Sequence, residues 1–172
     1  NPKGEPNEKN GFLLTEDEIK NKARELTGKP ILYNHNGIHG KTGVLDPNSV
    51  IGNIVAAWKH PSNGRLMVLG KVFSKNKFVQ DNKIIENMKS GVIGGLSLGL
   101  EHTIDSGIRV VDKKFKECSL TEQGALKDTT VDSIYDYDVI EKSKILGLVN
   151  SYNSERELKK TPYKNNGEDS QY

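Results

Sequence analysis

The sequence predicts a mostly-β fold of the α+β class: a small antiparallel β-barrel, closed or nearly closed, with a few surrounding helices. Three observations carry this reading. Residues 65–73 alternate Leu66, Val68 and Gly70 against Met67, Leu69 and Lys71, directly after Asn63-Gly64, a strong hairpin signal. A second strand at 94–102 is led in by glycines, and a short turn joins it to further strand formers. Neighbours joined by short turns pair antiparallel, and such sheets protect their edges by closing.

The elements follow in order. Residues 1–10 are rich in Pro, Gly, Lys, Glu and Asn and read as a flexible lead-in. Thr15-Glu16-Asp17-Glu18 forms a capping box. Ile19, Ala23 and Leu26 then repeat at helical spacing, and Gly28 and Pro30 end a helix of residues 16–27. Ile31 to His35 is a short strand, and 36–48 a surface loop. Residues 50–58 and 65–73 form an antiparallel hairpin. Lys77 to Ser90, with Phe78, Ile84, Ile85 and Met88, is one amphipathic helix closed by Gly91. Strands at 94–102, 108–111 and 115–120 follow, and the last apolar positions are Val139, Ile140, Ile145, Leu146 and Leu148. From Ser151 the composition is polar, so 151–172 reads as a disordered tail or linker and 11–150 as the folded unit.

Composition narrows the function classes. The chain has 172 residues, which is roughly one domain. Lys+Arg 25 against Asp+Glu 23 leaves a formal charge of +2, which argues against a dedicated nucleic-acid binder. No apolar run approaches the ~20 residues of a membrane helix. The opening Asn1-Pro2-Lys3-Gly4-Glu5 is no secretory leader. A single cysteine, Cys118, forbids an internal disulfide and fits a reducing compartment.

Several residues are candidates for chemistry. Ser97 lies between Leu96 and Leu98 in an apolar strand flanked by Gly94, Gly95 and Gly99. It either bonds a neighbouring carbonyl or solvent, or it is a nucleophile to which the glycines grant access. His35, between a strand and a glycine-rich loop, is either a capping residue or a general base. His102 is five residues after Ser97, which along a regular strand puts it on the opposite face. His39 and His60 stand in or beside turns and are expected to be solvated. His35 and His39 have a spacing that suits zinc only on a helix, which Gly37 and Gly40 disfavour, so no metal and no cofactor is expected. Gly91, Gly94 and Gly95 lack the Gly-Lys-Ser/Thr end of a phosphate loop. Glu101 and Glu117 as a glycosidase pair is a weak reading. Cys118 is expected in the core, since nothing nearby lowers its pKa.

The order of five segments adds a resemblance. Gly28-Lys29-Pro30-Ile31-Leu32-Tyr33-Asn34-His35 resembles the histidine segment of viral capsid maturation proteases. Ile51 to Trp58 and Gly64 to Gly70 resemble the hairpin that follows it. Ser90-Gly91 with Gly95-Leu96-Ser97-Leu98-Gly99-Leu100 resembles the serine strand. Glu117-Cys118-Ser119-Leu120 resembles the segment after it. Together they cover roughly residues 11–126. Two branches share this fold, the prohead protease of tailed phages and the herpesvirus maturation protease, assemblin; both are serine proteases on a small β-barrel ringed by helices.

The resemblance implies a serine endopeptidase with Ser97 as nucleophile and His35 as base, cleaving scaffold protein, major capsid protein and itself during prohead assembly. The third member differs between branches. The herpesvirus branch places a second histidine where this chain has a residue near Lys114, whereas the phage branch has an acidic residue that Glu117 matches. Asp112 and His102 are the reserves. The oxyanion hole falls to backbone N–H groups around Gln123 and Gly124, because the arginine pair of one branch and the proline of the other are both missing. The resemblance further implies a protease domain at 11–150 followed by a linker from which it releases itself. It places the protein inside the immature capsid, in a bacterial cytoplasm or, if herpesvirus-like, a nucleus. A homodimer would fit the herpesvirus branch; nucleic acid and membrane are not expected partners. The alternative is a catalytically inactive capsid-assembly or scaffold-binding module on the same fold.

Overall fold

The computed structural model describes residues 16–38, 43–105, 109–122, 129–136 and 141–154, with backbone alone for 102–105 and 109–113. Helix α1 (Glu16–Lys22) tightens into a 3-10 turn over Ala23–Leu26, and Ile19, Ala23 and Leu26 are buried as their spacing requires. Thr15 of the expected capping box lies outside the described residues. Strand β1 (Pro30–Tyr33) follows, then a 3-10 turn at Pro47–Ser49 capped by the Asp46 side chain. Strands β2 (Gly52–Lys59) and β3 (Leu66–Val72) form the expected hairpin. Its turn is longer than a two-residue loop: His60 N–H donates to the Arg65 carbonyl, and Gly64 supplies a left-handed residue at φ +70°.

The segment expected as one helix is two: α2 (Lys77–Asp81) and α3 (Ile84–Lys89). Lys83 adopts left-handed φ +50° between them, which breaks the helical ladder while Val79, Ile84 and Met88 still reach the core. Strand β4 (Gly95–Asp105) pairs with β5 (Arg109–Thr121), a single long strand where two were expected. The last element is α4 (Lys142–Ser154). It carries the fold four residues past the expected boundary at 150: Ser151 to Ser154 are helical, and Tyr152 is buried.

The fold is α+β and mostly β, as expected, a curled five-stranded half-barrel with a few helices in the order β3-β2-β1-β5-β4. It differs from the expected all-antiparallel sheet at one ladder. β1 pairs with β5 in parallel, Ile31 opposite Cys118, Leu32 opposite Ser119 and Tyr33 opposite Leu120. A parallel pair needs a crossover, which here is the whole span of β2, β3, α2, α3 and β4. The core lies between the sheet and the helices, where Ile19, Leu26, Ile54, Val79, Ile84 and Phe115 are fully covered.

A candidate serine-histidine-glutamate site

The site sits where the parallel ladder meets the β4–β5 pair. The β1 strand ends at Tyr33, and Asn34 and His35 then both take positive φ, 51° and 59°. Such a pair of non-glycine residues is uncommon and persists only where its surroundings hold it. Two contacts hold it here: Asn34 N–H donates to the Leu120 carbonyl at 3.0 Å, and His35 N–H donates to Ser119 Oγ at 2.9 Å. The left-handed turn swings the imidazole over the end of the sheet.

On the neighbouring strands, register sets the rest. Ser97 of β4 stands opposite Ser119 of β5, and Gly99 opposite Glu117. Alternation along β5 puts Glu117 and Ser119 on one face, and both are fully buried. A Cβ on Gly99 would lie 2.0 Å from Glu117 Oε1, so the absent side chain is what makes room for the carboxylate. The three expected residues are brought together. His35 Nε2 is 2.8 Å from Ser97 Oγ, and His35 Nδ1 bonds Glu117 Oε1.

The donors settle the proton positions. A carboxylate only accepts, so Nδ1 carries the hydrogen toward Glu117, which leaves the Nε2 lone pair to accept from the Ser97 hydroxyl. The hydrogen bond and the negative charge of Glu117 raise the pKa of His35 above its ordinary value; partial burial opposes them but does not win. Burial is graded across the three. The His35 side chain is 41% exposed and that of Glu117 1%. Ser97 is intermediate. The hydroxyl can therefore be reached from solvent, while the charge that supports the imidazole is shielded from it.

Ser119 was not among the residues singled out from the sequence. Its hydroxyl donates to Glu117 Oε2 at 2.8 Å and accepts from the His35 backbone. The signal that finds it is alternation: two residues after Glu117 on a strand, it must share that face.

The other candidates separate cleanly. Gln123 and Gly124, the expected oxyanion donors, lie outside the described residues, as does His39. The side chains of His102 and Asp112 do as well. Lys114 is exposed, and Glu101 pairs with Lys116 at 3.1 Å on the surface, which removes Glu101 and Glu117 as an acid pair. Cys118 is buried, and burial together with the charge of Glu117 pushes its thiol up to about 12, so it is no nucleophile. His60 is not solvated, contrary to expectation. It is fully buried, with Nε2 2.8 Å from the Tyr152 carbonyl and Nδ1 accepting from Ser62 N–H at 3.1 Å.

No family model matches the chain, and no curated protein matches it. Among solved structures, the chain is similar to a crystal structure of KSHV protease in complex with a hexapeptide phosphonate inhibitor. The TM-score is 0.47 at 14% identity, over 83% of this chain and 68% of that one.

Proposed function

We propose that this chain is a serine endopeptidase of the capsid-maturation type, with Ser97 as nucleophile, His35 as general base and Glu117 as the group that orients and charges the base. The observation that carries the reading is the unbroken relay from Ser97 Oγ through both ring nitrogens of His35 to a buried carboxylate. Ser97 Oγ attacks the scissile carbonyl as its proton passes to His35 Nε2, and the imidazolium so formed is stabilised by Glu117. The same proton then goes to the leaving amine, and water repeats the cycle to release the acyl group. Nothing in this relay requires the second histidine of the herpesvirus branch, because Glu117 fills the role it would have.

The substrate class rests on the ordered sequence resemblance: scaffold protein, major capsid protein and the chain's own linker, within an immature capsid. The inactive assembly module is the competing reading, and the same experiment decides between them. The full chain is treated with a fluorophosphonate and its intact mass recorded, beside Ser97→Ala and His35→Ala. We expect one adduct on the parent and none on Ser97→Ala. His35→Ala should label at least roughly 10³-fold more slowly, the scale on which a serine loses reactivity without its base. A well-folded parent that takes no adduct would overturn the protease reading in favour of the binding module.

A further inference from the structure

We infer that Ser119 is a positioning residue of this site: its hydroxyl ties the backbone of His35 to the far oxygen of Glu117, and so sets the angle at which the imidazole meets Ser97. The inference rests on the serine-hydrolase reading and extends it to a residue outside the relay.

The bonding capacity of one hydroxyl is small, and here it is filled in a directed way. Its single hydrogen goes to Glu117 Oε2 at 2.8 Å. One lone pair takes the His35 amide at 2.9 Å, and Oγ also stands 3.3 Å from His35 Nδ1. The amide contact acts on the residue whose left-handed φ swings the ring into place. The carboxylate contact acts on the rotamer that presents Oε1 to the ring. Ser119 therefore touches both groups whose relative angle matters, and it is itself fixed, being fully buried and held in both the β1 and β4 ladders. A buried carboxylate needs donors on both oxygens. Among the described residues, His35 serves Oε1 and Ser119 serves Oε2. A serine that served only the ladder would point its hydroxyl at a carbonyl of its own strand. This one bridges the carboxylate of Glu117, two residues away on its own strand, and the backbone of His35, 84 residues away in sequence.

The charge consequence has a definite sign. A hydroxyl donating to Oε2 withdraws negative charge from the carboxylate. Without it the carboxylate keeps more of its negative charge toward the ring and holds the protonated imidazole more tightly. Among the described residues, the titratable group in hydrogen-bond contact with the ring is Glu117 from β5; β4 presents the neutral Ser97, and β1 ends short of the ring.

The test uses the full chain with Ser119→Ala, Ser119→Cys and Ser119→Thr. His35 is followed by NMR titration of its ring resonances, which needs no catalysis, alongside the pH profile of fluorophosphonate labelling. In Ser119→Ala the His35 midpoint should move to higher pH. The labelling rate should drop about tenfold or more, the scale of a sub-ångström misplacement, with its acid limb displaced the same way. Ser119→Thr keeps the hydroxyl and should restore midpoint and rate. Ser119→Cys, nearly isosteric but a poorer donor, should shift both by less, and it decides the matter if the alanine variant does not fold. A His35 titration in Ser119→Ala or Ser119→Cys that superimposes on the parent overturns the inference and leaves Ser119 a packing residue. If the parent itself never labels, the protease reading falls, and the NMR titration still decides whether Ser119 positions His35.

Discussion

His35 and His60 occupy matching places, each just past the end of a strand, and they do opposite things. His35 faces side chains, Ser97 on Nε2 and Glu117 on Nδ1. His60 faces only backbone, accepting from Ser62 N–H on Nδ1 and donating from Nε2 to the Tyr152 carbonyl. One ring is two-fifths exposed and the other wholly covered. His60 is a fastener that holds the end of α4 on the β2–β3 hairpin. A histidine's role thus follows from what each nitrogen meets, and exposure or proximity to a turn says little about it.

The sharpest way to break this contrast acts on the charge behind His35. Glu117→Gln should lower the labelling rate by about 10²–10⁴-fold, since an amide neither stabilises the imidazolium nor fixes its tautomer. Its acid limb should also move. Glu117 raises the His35 pKa, so the parent base is free only above a value higher than the ordinary one near 6.5, and the variant should become free at lower pH. The same linkage reaches stability. The pair's contribution is fully present below the unfolded value and fades as pH rises through the higher folded value. Unfolding measured against pH should show that loss in the parent and lack it in Glu117→Gln. An unmoved limb would mean that Glu117 is not the group that charges His35.

The complementary change is His60→Ala. It strands the buried Tyr152 carbonyl and the part-buried Ser62 N–H and empties the space of a ring, so it should cost about 2–4 kcal/mol in urea unfolding while the folded protein labels at the parent rate. Parallel loss of labelling would dissolve the distinction between the two histidines. A smaller effect of the same kind is expected at Trp58, whose Nε1 donates to Asn153 Oδ1 at 2.7 Å and seats the same helix. Trp58→Phe should lose about 1 kcal/mol by the same measurement, with no change at Ser97.

Much of the sheet was legible because its signals are local. Asn63-Gly64 and the alternation after it marked the β2–β3 hairpin, and the glycine-led run marked β4. The α1 face followed from the spacing of Ile19, Ala23 and Leu26. What escaped is carried by contacts distant in sequence. Nothing near Ile31 announces that its parallel partner is Cys118. Nor does the stretch Lys142–Ser154 show an apolar stripe; it is seated through Tyr152 and two polar contacts to Trp58 and His60. Those same contacts buried the His60 that turn residues had suggested was solvated. Within the site, the residue types around Ser97 and His35 left bland and chemical readings side by side, and only the resemblance chose between them. Ser119 follows once Glu117 is in place. Strand alternation from Glu117 was enough to reach it, and a serine inside an apolar strand was easily passed over.

The parallel ladder between β1 and β5 also sets an order in time. The β2–β3 hairpin closes between His60 and Arg65, whereas His35 meets Glu117 across 82 residues of chain. Closing the longer span costs about 2–3 kcal/mol more in loop entropy, and it requires the intervening strands to be present. Non-local pairings of this kind are the slow ones. A chain still emerging from the ribosome holds its serine and histidine well before Glu117 and Ser119 have been synthesised. The assembled relay is therefore a clock as well as a site: it reports that the last ladder has shut, and a half-made molecule has no relay.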